Sequence, residues 1–307
     1  MRETIAAQPA LPADRFARCA RFAAAEARAV SPPDSEMQMK AKAVIEVLIV
    51  FSLTLLLIAL VSLSPIGGWE RQVSNRFFVE YAVMIAFPLL LLVITRRSLA
   101  SYGLSLRNIP YHLDVVATAF VPVAIGSTFF AFINYKQWSG SLILAGVEVV
   151  VLVAVGWLLK HKPTHGDGVL IGVTIPTAFA ALVFRATVGN AVSAFVFYVC
   201  FLGLGEELLF RGYIQSRLNL AFGRPYQFFG VHWGWGVIIA SALFGLMHVL
   251  NLGGLAGGRW YLAWWWGFWT FFGGLVFGFV REKTGSIVAP MLLHGLPQAI
   301  AYAILGL

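Results

Sequence analysis

Apolar runs of about twenty residues follow one another from Ala43 to Leu305, and they leave this chain few ways to fold. Twenty residues of α-helix rise about 30 Å, the thickness of a bilayer's hydrocarbon core. In lipid every backbone N–H and C=O must be satisfied within the chain, and a single segment achieves that only as a helix. The expected fold class is therefore all-α, a polytopic transmembrane helical bundle with about eight to nine spans. The runs lie near Ala43–Leu63, Phe77–Thr95, Val115–Asn134, Ser141–Leu159, Gly168–Val188, Ala191–Phe210, Trp235–Leu252, Tyr261–Val280 and Ser286–Leu305. The fifth is interrupted by Pro176 and Arg185.

Composition agrees: 59% of the 307 residues are hydrophobic and 12% are charged, about half the charged fraction of a soluble domain. The net charge of +8 does not mark a nucleic-acid partner, because the basic residues form neither a patch nor an arm. They fall in alternate connections instead: Lys40 and Lys42, then Arg96, Arg97 and Arg107, then Lys160 and Lys162, then Arg211, Arg217 and Arg224, then Arg281 and Lys283. By the positive-inside rule this predicts a multi-pass protein of the cell membrane with its N-terminus cytoplasmic. Residues 1–42 read as a polar cytoplasmic tail, without the apolar core and cleavage site of a secretory signal. Cys19 and Cys200 suggest no disulfide framework and no CxxC metal site. The tryptophans Trp264, Trp265, Trp266 and Trp269 fall inside a span and read as lipid-facing bulk.

Charges inside apolar helices cost on the order of 3 kcal/mol each, so every one asks for a reason. Arg281 and Glu282 are expected at a span end, within reach of headgroups. Glu148 and Arg185 lie inside spans, where pairing or snorkelling is the structural reading. The sixth run carries Glu206 and Glu207, with Arg211 four residues after Glu207 and on its helical face. Glu206 points about 100° away and cannot share that arginine equally. One acid gains a fixed partner while its neighbour stays available to take a proton. The seventh run carries Phe244 and His248, followed by Asn251; the ninth carries Pro290, His294 and Gln298, the last two on one face beside Pro297. Glycines at 203, 205, 245, 273, 274 and 278 would let these helices pack closely.

In order, Glu206-Glu207-x-x-x-Arg211, Phe244-x-x-x-His248 and Thr284-Gly-Ser-x-x-x-Pro290-x-x-x-His294 resemble the CAAX protease and bacteriocin-processing (CPBP, or Abi) family of intramembrane endopeptidases. The resemblance covers about residues 191–307, which would be the CPBP-like catalytic helices, with residues 43–190 as N-terminal transmembrane helices. It implies hydrolysis of a peptide bond in a membrane-anchored protein or peptide, on the cytoplasmic side, with membrane lipids as the surroundings. Glu206 and His248 would activate water, Glu207 and Arg211 would support them, and His294 with Gln298 would stabilise the oxyanion. At the last position the family usually has Asn. Glu206, His248 and His294 could also supply a two-histidine, one-carboxylate zinc site, although HExxH is absent. Metal-free activation of water stands beside it. Two other classes are open: a catalytically silent immunity or scaffold protein of the same family, for which Gln298 speaks, and a transporter, against which the first half offers no matching polar set.

Overall fold

The computed structural model describes residues 33–161 and 188–305. Two compact units divide the chain, Met1–Lys42 and Ala43–Leu307. In the described part of the first, Lys40 Nζ pairs with Glu36 at 2.7 Å. The helix contacts that build the bundle lie in the second.

The described residues are almost wholly helical. α1 is Pro33–Leu63, α2 the short Pro65–Ser74, and α3 Phe78–Ile94. After a 3-10 turn, Leu99–Tyr102, come α4, Ile109–Thr128, a second 3-10 turn, Phe129–Phe132, and α5, Trp138–His161. A long helix, α6, fills Gly189–Phe222. A two-stranded antiparallel hairpin pairs Tyr226–Phe228 with Val231–Trp233. It leads into α7, Trp235–Leu250, the single-turn α8, Leu252–Ala256, then α9, Trp264–Thr284, and α10, Val288–Leu305. Among the described residues, five stretches are long and apolar enough to cross a membrane: those within α1, α4 to the 3-10 turn, α5, α6, and α7 with α8; α3 is a shorter apolar helix. The architecture is an all-α polytopic membrane bundle. Eight of the nine expected runs fall on helices. The remaining one, near Gly168–Val188, lies outside the described residues apart from its last residue, and with it Arg185.

Polar clusters fix which helix ends lie together. In α1, three residues into the apolar run that begins at Ala43, Glu46 accepts from Arg97 just past α3, from Tyr213 (2.8 Å) and from Arg217 (2.9 Å) in α6. At the same end Glu282 of α9 accepts from Gln215 and Asn219 of α6, both at 2.6 Å, and pairs with Arg224. Ser286, before α10, donates to the carbonyls of Gly103 and Ser105. α3, α6 and α9 therefore finish at this end and α4, α7 and α10 begin at it, so the basic connections α3–α4, α6–α7 and α9–α10 lie together.

Three expectations need correction here. α6 does not end at Phe210: it continues to Phe222, so the acid pair is in mid-helix and Arg211 is fully buried rather than in a connection. Arg281 and Glu282 do not reach outward. Arg281 is 3% exposed and donates to Ser216 at 2.9 Å, and Glu282 is held by the α6 amides. Interhelical partners replace headgroups and water there. Nor is the tryptophan cluster uniformly lipid-facing: Trp264 is exposed, but the half-buried Trp266 and Trp269 line a half-open cavity between helices.

Candidate active site

Glu206 and Glu207 occupy one α-helical turn, Leu204–Glu207, between two π-helical segments, Val196–Gly203 and Leu208–Gln215. A π turn carries an extra residue, which rotates the residues C-terminal to it and is common where a helix must re-aim a side chain. The polar helices are brought close by glycine. A Cβ at Gly203 would stand 2.9 Å from the Met291 carbonyl oxygen of α10, and one at Gly245 of α7 would stand 2.6 Å from the Gly267 carbonyl of α9.

The two acids have separate environments, as their spacing predicts. Glu207 Oε1 accepts from Arg211 Nη1 at 3.0 Å and from His294 Nδ1 at 2.9 Å. Arg211 spends its other terminal nitrogen on the Gly274 carbonyl (3.1 Å), and its guanidinium lies 4.6 Å from the Phe244 ring centroid. Glu206 Oε1 accepts from the Tyr81 hydroxyl of α3 at 3.1 Å. Its Oε2 lies 3.5 Å from His294 Nε2 and has no hydrogen-bond partner among the described residues. Each acid thus keeps an Oε2 without a hydrogen-bond partner among the described residues, and the two differ in that Glu206 lines a cavity while Glu207 is wholly buried against Arg211 and His294.

The histidines differ in their partners. His248 Nδ1 sits 2.8 Å from the Phe244 carbonyl, which only accepts, so that nitrogen carries the hydrogen and Nε2 of the neutral ring keeps its lone pair. His294 has a carboxylate facing each ring nitrogen and stacks on Phe277 at 4.6 Å. Gln298 follows one turn later.

Glu206, His248, His294 and Gln298 line one cavity of about 380 Å³. Glu207 and Arg211 sit behind it. A second cavity of about 200 Å³, with Ile58, Met84 and Leu252 among its walls, shares Tyr81, Glu206, His248 and Trp266 with the first. Glu206 therefore stands where two compartments meet. Asn251, which follows His248 in the sequence, lines only the second cavity, and its side-chain oxygen caps α8 by accepting from Gly254 N at 3.2 Å. Tyr81 lies in the first turn of α3 and His248 in the last turn of α7, so the site occupies the half of the bundle away from the basic ends.

Zinc does not fit this arrangement. Among the described residues no group of three His, Cys, Asp or Glu side chains could hold a metal ion, and His294 has both ring nitrogens against carboxylates. Tyr81 was not evident from sequence, since a tyrosine opening an apolar run has many ordinary uses.

Long apolar helices enclosing a buried acid, two imidazoles and an amide define an integral membrane protein with an internal ionisable centre. Residues 188–300 match the family described as Rce1-like, type II CAAX prenyl endopeptidase, a stretch that contains every one of these groups except Tyr81. This agrees with the resemblance carried by the acid pair and histidines. No curated protein and no solved structure matches the chain.

Proposed function

We propose that this protein is an intramembrane endopeptidase that hydrolyses a peptide bond of a membrane-anchored protein or peptide. The observation that carries the reading is the Glu206 carboxylate, held through Oε1 by Tyr81 and 3.5 Å from His294 Nε2 through Oε2, on a residue that lines one cavity with His248, His294 and Gln298. The Rce1-like match supports a protease-type enzyme, and a prenylated C-terminal segment is the first substrate class to try.

In this mechanism a water bridges Glu206 Oε2 and His248 Nε2. Glu206 takes one of its protons as the water oxygen bonds to the scissile carbonyl carbon. The oxyanion that forms receives an N–H from Gln298 and one from His294 Nε2, a step that uses the His294 ring with a hydrogen on both nitrogens, Nδ1–H being spent on Glu207. Collapse breaks the C–N bond while Glu206 returns its proton to the leaving nitrogen. Arg211 and Glu207 fix His294 and touch no reacting atom. The sequence of steps is complete without a metal.

The test is cleavage of prenylated and unprenylated membrane-anchored reporters by purified protein in lipid nanodiscs. Glu206→Gln should lower kcat/KM by about a hundredfold or more, the usual worth of a general base, with the melting temperature unchanged. Activity should persist after exhaustive chelation with metal content checked. Wild-type rates in Glu206→Gln would reject the assignment, and loss of activity on chelation, restored by zinc, would reject the metal-free mechanism.

A further inference from the structure

Glu148 lies in the middle of α5 and is 6% exposed. Among the described residues it makes no hydrogen bond or ion pair. Room is left for its carboxylate on two sides: a Cβ at Gly126 of α4 would stand 3.2 Å from both carboxylate oxygens, and one at Gly273 of α9 would stand 3.7 Å from each. The carboxylate lines the same 380 Å³ cavity as Glu206. Phe130, Tyr135 and Trp269 line it too. These three rings form one cluster, with Phe130 and Trp269 stacked at 6.3 Å and Tyr135 edge-on to both, at 5.7 and 6.5 Å. Trp269 is one turn from Gly273 on α9.

A bare carboxylate among apolar helices is costly unless something of opposite charge or a strong donor meets it. Aromatic faces beside it favour the same ligand, since ring quadrupoles attract ammonium and guanidinium groups. The cavity volume is within the range of pockets for small ligands and side chains. We propose that Glu148, with Phe130, Tyr135 and Trp269, forms a subsite for a cationic side chain, Lys or Arg, of the peptide whose backbone reaches Glu206. This rests on the peptidase reading. It adds that the enzyme selects a basic residue near the bond it cuts.

The experiment uses full-length protein in nanodiscs and a positional set of membrane-anchored peptides, each carrying Lys, norleucine or Glu at one position around the cleaved bond. For at least one position, wild type should prefer Lys to norleucine by tenfold or more in kcat/KM and should disfavour Glu. Glu148→Gln should erase that preference while still cutting the norleucine peptide near the wild-type rate. Binding is measured separately with the Glu206→Gln protein, by tryptophan fluorescence. There the Lys peptide should bind at least tenfold more tightly than in Glu206→Gln/Glu148→Gln. Absence of a Lys preference at every position, or its survival in Glu148→Gln, would overturn the subsite. An internal cation on the carboxylate would give that first result. If wild type cuts no peptide, the hydrolase reading fails, and the binding comparison alone decides whether the cation subsite exists.

Discussion

Arg211→Met isolates the energetic role of the ion pair behind the site. Both partners have side-chain exposures of 0%, and they meet at 3.0 Å. Methionine fills much of the same volume but leaves Glu207 with His294 as its remaining partner, and leaves the Gly274 carbonyl without its donor. Breaking a buried pair from one side costs about 3–5 kcal/mol, since an uncompensated charge stays behind. His294 still donates, so about 3 kcal/mol is expected, a shift of roughly a hundredfold in the folded-to-unfolded ratio. Arg211→Met/Glu207→Gln removes both charges and keeps an acceptor for His294. It should recover at least half of the loss, a coupling of about 1.5 kcal/mol or more. Reversible unfolding in detergent micelles, followed by far-UV circular dichroism, measures all four corners of the cycle. A single variant costing under about 1 kcal/mol, or a double variant as unstable as the single, would refute the claim that the pair is mutually dependent.

Tyr81→Phe removes the donor that holds Glu206 Oε1; a hydrogen bond to a charged group is worth about 1.5–3 kcal/mol, so kcat should fall roughly ten- to a hundredfold with KM little changed in reporter cleavage. Gly203→Ala drives a Cβ against the Met291 carbonyl and should cost about 1–3 kcal/mol in the same unfolding assay, whereas Gly146→Ala on α5, where a Cβ meets nothing within 4 Å, should be neutral or stabilising.

Much of this architecture is written in the chain at one-turn resolution. Apolar runs locate the helices, and the spacing from Glu207 to Arg211 foretells their pairing because i to i+4 neighbours share a face whatever surrounds them. His294 and Gln298 reach one cavity for the same reason. The failures come from the third dimension. Arg211 and Arg281 look like connection residues to a composition rule, yet each finds an internal acceptor that only helix packing supplies. Trp266 and Trp269 cannot be told from lipid-facing tryptophans until α7 and α9 cross at Gly245 and Gly267. Tyr81 is 125 residues from Glu206, and no local pattern links them.

The π-helical segments on either side of the acid turn have a further consequence. Because each wide turn shifts the angular position of everything after it, Glu206 and Glu207 are aimed by how many residues precede them as much as by what those residues are. Side-chain exchange along Val196–Gly203 leaves that tally intact, while loss of one residue would swing both carboxylates by about a quarter-turn or more. The length of this segment is thus a functional variable in its own right.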